Sequence, residues 1–378
     1  MTSRVIDADS HILEPGDLWA NYLEPRYRGR AMCIKKDDQG LEYLEVDGKP
    51  ATGVRGGMLS NIAGSGRNDL EHFLTPGAVP YDEAREMAPP ARDPHERARW
   101  LDREGVDATL LYPSLGLDWT QDCRDPELAA AYTRAYNNWL HDFCADYPDR
   151  LLAVAHISLL DVKEGVKELK RTADLGMKGA YPPVVPFNGP PYGEPHYDPF
   201  WAEAQQMGIP VSLHVTGNVN GAGGNLYPKS YESPFWWFLV TDMGDVLMAF
   251  TSLFQGGLFD RFPTLKLVVV ETGAGWLPYW LDRMDSLFNK VGFTTPMKMR
   301  PSEYFRRQCW IVLDPDESTA AHTVECVGQD RFLWGSDYPH TEGDVGALGE
   351  LKENIRSLSD EARDMILGAN AIELYGLG

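Results

Sequence analysis

The sequence predicts a single (β/α)8 barrel with an insertion after its first strand. Three features carry that expectation. Eight short apolar runs begin near residues 4, 108, 151, 178, 210, 265, 310 and 332. Stretches of helical periodicity separate them, the order that builds a parallel sheet covered on both faces. The runs also end on polar residues able to do chemistry, at the edge where such barrels carry their reactive groups. The runner-up is an open doubly wound sheet. That fold usually has a glycine-rich phosphate loop after its first strand, and Asp9-Ser10-His11-Ile12 stands there instead.

Taken in order, Val5-Ile6 leads into Asp7, Asp9 and His11. Side chains alternate faces along a strand, so these three are expected on one face. Residues 30–90 read as an excursion, either a flap over a site or a surface insertion. Within it, a hairpin is expected over 34–46 around Asp37-Asp38-Gln39-Gly40, a glycine-rich stretch over 53–68, and loop over 76–90. The barrel rhythm resumes at residue 93. Asp93-Pro94, Asp125-Pro126 and Asp198-Pro199 each open a helix, with aspartate as cap and proline in the first turn. Strands follow at 108–112, 151–157, 178–181, 210–215, 265–270, 310–313 and 332–335, with two closing helices near 345–357 and 359–374.

Composition bounds the partners. The 378 residues are 43% hydrophobic and carry a formal charge of −21, spread along the chain. That excess of acid argues against nucleic acid or an anionic membrane surface. No run is long and apolar enough to span a bilayer, and no secretory signal is expected. The five cysteines, Cys33, Cys123, Cys144, Cys309 and Cys326, form no CxxC pair and fit reduced thiols in the cytoplasm.

Reading the strand ends gives Asp9 and His11, His156, Tyr181, His214, Glu271, Asp314 and Asp337. Strands 8 and 1 are neighbours in a closed barrel, and strand 5 faces them across the mouth. Asp9, His11, His214 and Asp337 are therefore the expected ligands of one divalent ion in a mixed nitrogen and oxygen site, zinc first and manganese second. Asp7 is expected to brace the strand. His340, His156 and Tyr181 are candidate substrate contacts. Trp236, with Phe235, Trp237 and Phe238, is a candidate pocket wall for an aromatic or lipophilic substrate.

The chain resembles the amidohydrolase superfamily, in the branch of aminocarboxymuconate-semialdehyde decarboxylase and gamma-resorcylate decarboxylase. The resemblance rests on Ile6-Asp7-Ala8-Asp9-Ser10-His11, Gly176-Met177-Lys178-Gly179, Ile209 to His214, Phe259 to Lys266, and Gly335-Ser336-Asp337-Tyr338-Pro339-His340. It implies a barrel with one divalent metal, held here by Asp9, His11, His214 and Asp337. There are two departures. Aspartate stands at residue 9, where the family usually has histidine or glutamate. Glu271-Thr272-Gly273 stands after strand 6, where the decarboxylases carry a catalytic histidine in a His-x-Gly setting.

The expected function is a non-oxidative carboxy-lyase acting on a carboxylated aromatic or cyclic small molecule, with Asp337, Glu271 and His214 as its catalytic residues. The alternative is a mononuclear hydrolase of an ester, lactone, amide or C–C bond. A catalytically silent barrel that binds a metabolite is a third reading, and would hold no tight metal. Aromatic residues on the outer helices (Trp139, Tyr279, Trp280) suggest a homodimer.

Overall fold

The architecture is that of a computed structural model. It describes residues 4–378 except 55, 118, 185, 187–188, 217–233, 238, 240–242 and 344. Eight parallel strands form one sheet in chain order: β1 (Ile6–His11), β5 (Ala108–Tyr112), β6 (Leu151–His156), β7 (Gly179–Tyr181), β8 (Val211–His214), β9 (Leu267–Val270), β10 (Cys309–Leu313) and β11 (Phe332–Trp334). The sheet closes on itself where Ser336 N and Asp337 N, just past β11, both donate to Asp9 O at 3.0 Å. This is the predicted (β/α)8 barrel. Each observed strand starts within two residues of its predicted start.

The strands read as continuous apolar runs because both faces are covered. Ile6, Ala8, Leu110, Val154, Val268, Val270, Val312 and Leu333 fill the interior, all fully buried. Helices form the outer layer. Asp93 and Asp125 cap theirs as expected, accepting from His95 N and Glu96 N, and from Glu127 N and Leu128 N. Asp198 does not cap the helix Asp198–Met207, because Arg261 takes its carboxylate with contacts of 2.9–3.1 Å.

Two expectations about the N-terminal part are corrected. Asp7 does not share a face with Asp9 and His11. Against β5, Asp7 pairs with Thr109 but Ser10 pairs with Leu111, so β1 carries one extra residue. This bulge shifts the alternation, as bulges beside active sites do. Ile6 and Ala8 face the barrel interior, while Asp7 turns outward to Thr109 Oγ1 (3.2 Å) and Ser336 Oγ (2.7 Å). Residues 76–90 are also not loop: they contain helices Tyr81–Met87 and Pro89–Arg92. The expected hairpin is present as β2 (Cys33–Lys36) and β3 (Glu42–Val46), with a short third strand, β4 (Lys49–Pro50).

The excursion is anchored to the barrel rim. Ser65 N donates to Pro339 O at 3.1 Å, Thr341 Oγ1 donates to Asn61 O, and Tyr81 OH donates to Glu14 O at 2.9 Å. Gly64 lies so close to Thr341 that an added Cβ would meet its backbone Cα at 3.1 Å. All five cysteines are free. Among the described residues, no helix is long and apolar enough to cross a membrane.

Candidate metal centre

The site forms at the C-terminal mouth of the barrel, where β1, β8, β9 and β11 end. His11 and His214 are fully buried, and each is held through Nδ1 by a backbone carbonyl. His11 Nδ1 lies 2.7 Å from Pro113 O, and His214 Nδ1 lies 2.8 Å from Val215 O. A carbonyl only accepts, so Nδ1 carries a proton in both rings and Nε2 is the nitrogen left to the cluster. Both Nε2 atoms point at the same carboxylates. His11 Nε2 lies 3.5 Å from Asp9 Oδ1, 3.3 Å from Glu271 Oε2 and 3.3 Å from Asp337 Oδ1. His214 Nε2 lies 3.5 Å from Asp9 Oδ1 and 3.0 Å from Glu271 Oε2.

None of these approaches is an aligned hydrogen bond. Asp9 Oδ1, His11 Nε2, His214 Nε2, Glu271 Oε2 and both Asp337 oxygens are buried without a hydrogen-bond partner. Buried polar atoms are rarely orphaned, and buried carboxylates need a cation or donors. The donor set fits a divalent ion. Around a metal with bonds of about 2.1 Å, neighbouring donors sit about 3.0 Å apart at right angles and about 3.4 Å apart in a tetrahedron. The observed separations of 3.0–3.5 Å match those edges. Two overlapping groups have donor atoms that all lie within 4.8 Å of one another: Asp9, His11, His214 and Glu271, and His11, Glu271, Asp337 and His340.

Glu271 was expected to act in catalysis, and the geometry also places it among the ligand atoms. The sequence carries no sign of this beyond its position at a strand end. Glu271 and Asp337 both adopt left-handed backbone, with φ of 55° and 51°. Such a conformation is uncommon outside glycine, and its clustering at a site marks strain kept for function. In both cases it turns a carboxylate inward just past a strand.

The protons of the cluster are unevenly shared. Burial opposes charge on His214, but Glu271 and Asp9 outweigh it and raise its pKa to about 10. His11 is raised against burial by Asp9 and Glu271. Glu271 is held well below the usual carboxylate range, against burial, by His214 and His11. Asp337 goes the other way: burial and then the Glu271 and Asp9 charges push it well above its ordinary value. Burial, with His11 nearby, pushes His340 well below the usual histidine range.

His340 completes the mouth. Its ring stacks on His11 with centroids 3.7 Å apart, and its Nδ1 lies 3.0 Å from Asp337 Oδ1. Its Nε2 lies 2.9 Å from Ser114 Oγ. A cavity of about 490 Å³ opens onto Glu271 and Asp337, and Gly64, Gly66, Arg67 and Leu70 of the excursion form part of its wall. Asp7 stays outside the cluster, accepting from Ser336 N, Ser336 Oγ and Thr109 Oγ1. Burial outweighs those bonds and raises its pKa to about 7.

The other candidates lie elsewhere. Tyr181 is inside the barrel, with its ring 5.6 Å from His214, and His156 lies 5.0 Å beyond Tyr181. Both nitrogens of the buried His156 ring lack a hydrogen-bond partner. Trp236 is not brought to the centre. It sits on a short helix, Pro234–Trp237, 52% exposed, with Phe235 packed edge-on beside it. The glycine- and asparagine-rich stretch after β8 lies outside the described residues.

A parallel eight-stranded barrel with histidines and carboxylates converging at its C-terminal mouth belongs to the class of metal-dependent barrel enzymes. The chain is a member of the amidohydrolase family, whose sequence profile matches residues 6–377. It is 29% identical over 327 residues to gamma-resorcylate decarboxylase of a Rhizobium species, covering 81% of this chain and 97% of that one. Among solved structures, an amidohydrolase from Mycobacterium avium subsp. paratuberculosis matches over the whole of both chains, with a TM-score of 0.81 at 22% identity. A dihydroxybenzoic acid decarboxylase from a Polaromonas species, solved with manganese and 2-nitroresorcinol bound, matches with a TM-score of 0.67 at 25% identity. That match covers 80% of this chain and 91% of the other.

Proposed function

We propose that this chain is a divalent-metal-dependent carboxy-lyase that removes CO2 from a hydroxylated aromatic or cyclic carboxylate. The observation that carries the reading is the convergence of Asp9, His11, His214, Glu271 and Asp337, whose facing atoms lack hydrogen bonds. The decarboxylases named above give the reaction class. Three carboxylates against two imidazoles favour manganese over zinc, because oxygen-rich sets suit the harder ion.

When bound, the ion supplies positive charge that holds a substrate oxygen and stabilises negative charge as CO2 leaves. The rest falls to the chain. Asp337, which lines the cavity beside Glu271, delivers a proton to the ring carbon as the bond from that carbon to the carboxyl carbon breaks. Asp337 is left ionised, with His340 Nδ1 3.0 Å from its Oδ1, and takes its next proton from solvent. Residues 30–90 act as the flap that walls the cavity and keeps water from the reacting carbon. His156 and Tyr181, fully buried in the barrel interior, do not line this cavity.

One observation favours a second reading, hydrolysis of an ester or lactone: Glu271 stands where the resembled decarboxylases carry a histidine. The partner is a small molecule and a second copy of the chain. Exposed Tyr279 (68%) and Phe293 (86%) on the outer layer suit a homodimer interface. Free thiols suit the cytoplasm.

The test is metal content and turnover on wild type and His214→Ala side by side. About one manganese per chain in wild type, lost in the variant, together with CO2 release from a panel of hydroxybenzoates, supports the reading. Cleavage of esters or lactones without CO2 release would replace it with the hydrolase.

A further inference from the structure

We infer that Glu14, a carboxylate outside the metal cluster, positions two of its histidines through a single loop, residues 113–116, and thereby sets how tightly the centre holds a divalent cation. The inference rests on the metal reading above.

Glu14 lies three residues after His11 and is fully buried. Its partners are consecutive backbone N–H groups. Oε1 accepts from Ser114 N (3.1 Å) and Gly116 N (3.0 Å), and Oε2 accepts from Leu115 N (3.0 Å) and, at 3.3 Å, from Ser114 N. Consecutive amides converging on one carboxylate form an anion-binding concavity, and charge-assisted bonds of this kind are about twice as strong as neutral ones. The loop packs closely against the carboxylate. A Cβ on Gly116 would meet Pro113 Cβ at 2.5 Å and Glu14 Oε1 at 3.2 Å.

The loop so fixed carries both histidine contacts. Pro113 O takes the Nδ1 proton of His11, which leaves Nε2 facing the other ligands. The next residue, Ser114, places its Oγ at 2.9 Å from His340 Nε2. His340 in turn packs its ring on His11 and sets its other nitrogen beside Asp337. One backbone carbonyl and the hydroxyl of the next residue therefore orient one ligand and the partner of another.

Glu14 is itself held from the opposite side. Tyr81 OH donates to Glu14 O, and Arg85 Nε donates to Leu13 O at 3.1 Å. Both come from the excursion, so the insertion braces the same segment that braces the loop. A carboxylate whose acceptor capacity is spent on one loop, and whose loop then fixes two imidazoles, is a positioning residue. Partners of this outer kind typically change metal affinity about 10–100-fold when mutated.

The experiment measures free Mn²⁺ by electron paramagnetic resonance at equilibrium, on wild type, Glu14→Gln, Gly116→Ala and Ser114→Ala. It is run well below each melting temperature, which circular dichroism supplies. Glu14→Gln keeps the shape but turns an amide NH2 against an N–H donor. It is expected to weaken Mn²⁺ binding about 10–100-fold while the barrel stays folded. Gly116→Ala, which pushes the same loop, should weaken it in the same direction. Ser114→Ala leaves the backbone cradle and the Pro113 carbonyl in place. Its Mn²⁺ affinity should stay near wild type, while kcat falls and KM does not.

Folded Glu14→Gln and Gly116→Ala that bind Mn²⁺ like wild type would overturn the inference, whatever their melting temperatures. Should Glu14→Gln fail to fold, Gly116→Ala decides by the same criterion. A wild type that binds no Mn²⁺ overturns the metal reading and this inference with it, and is distinct from a wild type that binds and variants that match it.

Discussion

Glu271 Oε2 lies 3.0 Å from His214 Nε2, nearer than any other carboxylate comes to His11 or His214. Glu271 reaches it from a left-handed backbone at the end of β9. This brings the residue after the sixth barrel strand among the side-chain atoms that converge on the two imidazoles. Glu271→Gln keeps the shape and removes the charge. Mn²⁺ affinity should fall more than about tenfold, since a first partner should matter at least as much as the outer partners of such sites. Equilibrium dialysis against Mn²⁺ checks it, and an unchanged affinity would remove Glu271 from the ligand set.

Asp337 has the opposite electrostatic character to Glu271, pushed up where Glu271 is held down. Asp337→Asn should lower kcat by about 10²–10⁴, the range for losing a general acid. Substrate consumption at saturating metal and substrate measures this. A variant within a few-fold of wild type would assign the proton to another group.

His156 gives a pH dependence that stands apart from the metal. Burial lowers its pKa to about 3, below the ordinary histidine value of 6.5. The folded state therefore keeps it neutral while the unfolded state protonates it. Its contribution is complete above about pH 6.5 and is lost as pH falls toward 3, at up to about 1.4 kcal/mol per pH unit. His156→Phe should unfold in urea with a shallower loss of stability over that window than wild type. Parallel curves would contradict the assignment.

Ser336 closes the barrel on Asp7 with two bonds, one from N at 3.0 Å and one from Oγ at 2.7 Å. Ser336→Ala deletes the second and leaves a buried carboxyl oxygen less satisfied. The expected cost is about 1–3 kcal/mol of stability, read from chemical denaturation. A neutral result would mean that the Thr109 hydroxyl suffices.

Most of the barrel was legible because most of its strands are apolar runs between strong punctuation. Asp93-Pro94 and Asp125-Pro126 mark helix starts by local chemistry alone, and both cap as expected. Asp198-Pro199 looks the same in sequence but does not cap, because the competing partner, Arg261, is sixty-three residues away. The face of Asp7 was misread for a similar reason. Strict alternation holds only without a bulge, and the bulge in β1 is a property of its pairing with β5. Helices over 81–92 were missed because prolines at 80, 89 and 90 read as breakers, although two of them occupy the first turn of a helix. Of the site, Asp9, His11, His214 and Asp337 were visible as strand-end residues. The Glu14 cradle was not, since its partners are backbone amides one hundred residues on.

The closure at Asp7 and Ser336 joins positions 329 residues apart. This separation sets the order of events during synthesis. Asp9 and His11 leave the ribosome early, but Asp337 and the amides that hold Asp9 O are made almost last. A nascent chain therefore has only part of the carboxylate and imidazole cluster until β11 docks against β1. A product truncated before Ser336 lacks both amides that close the sheet on Asp9 O.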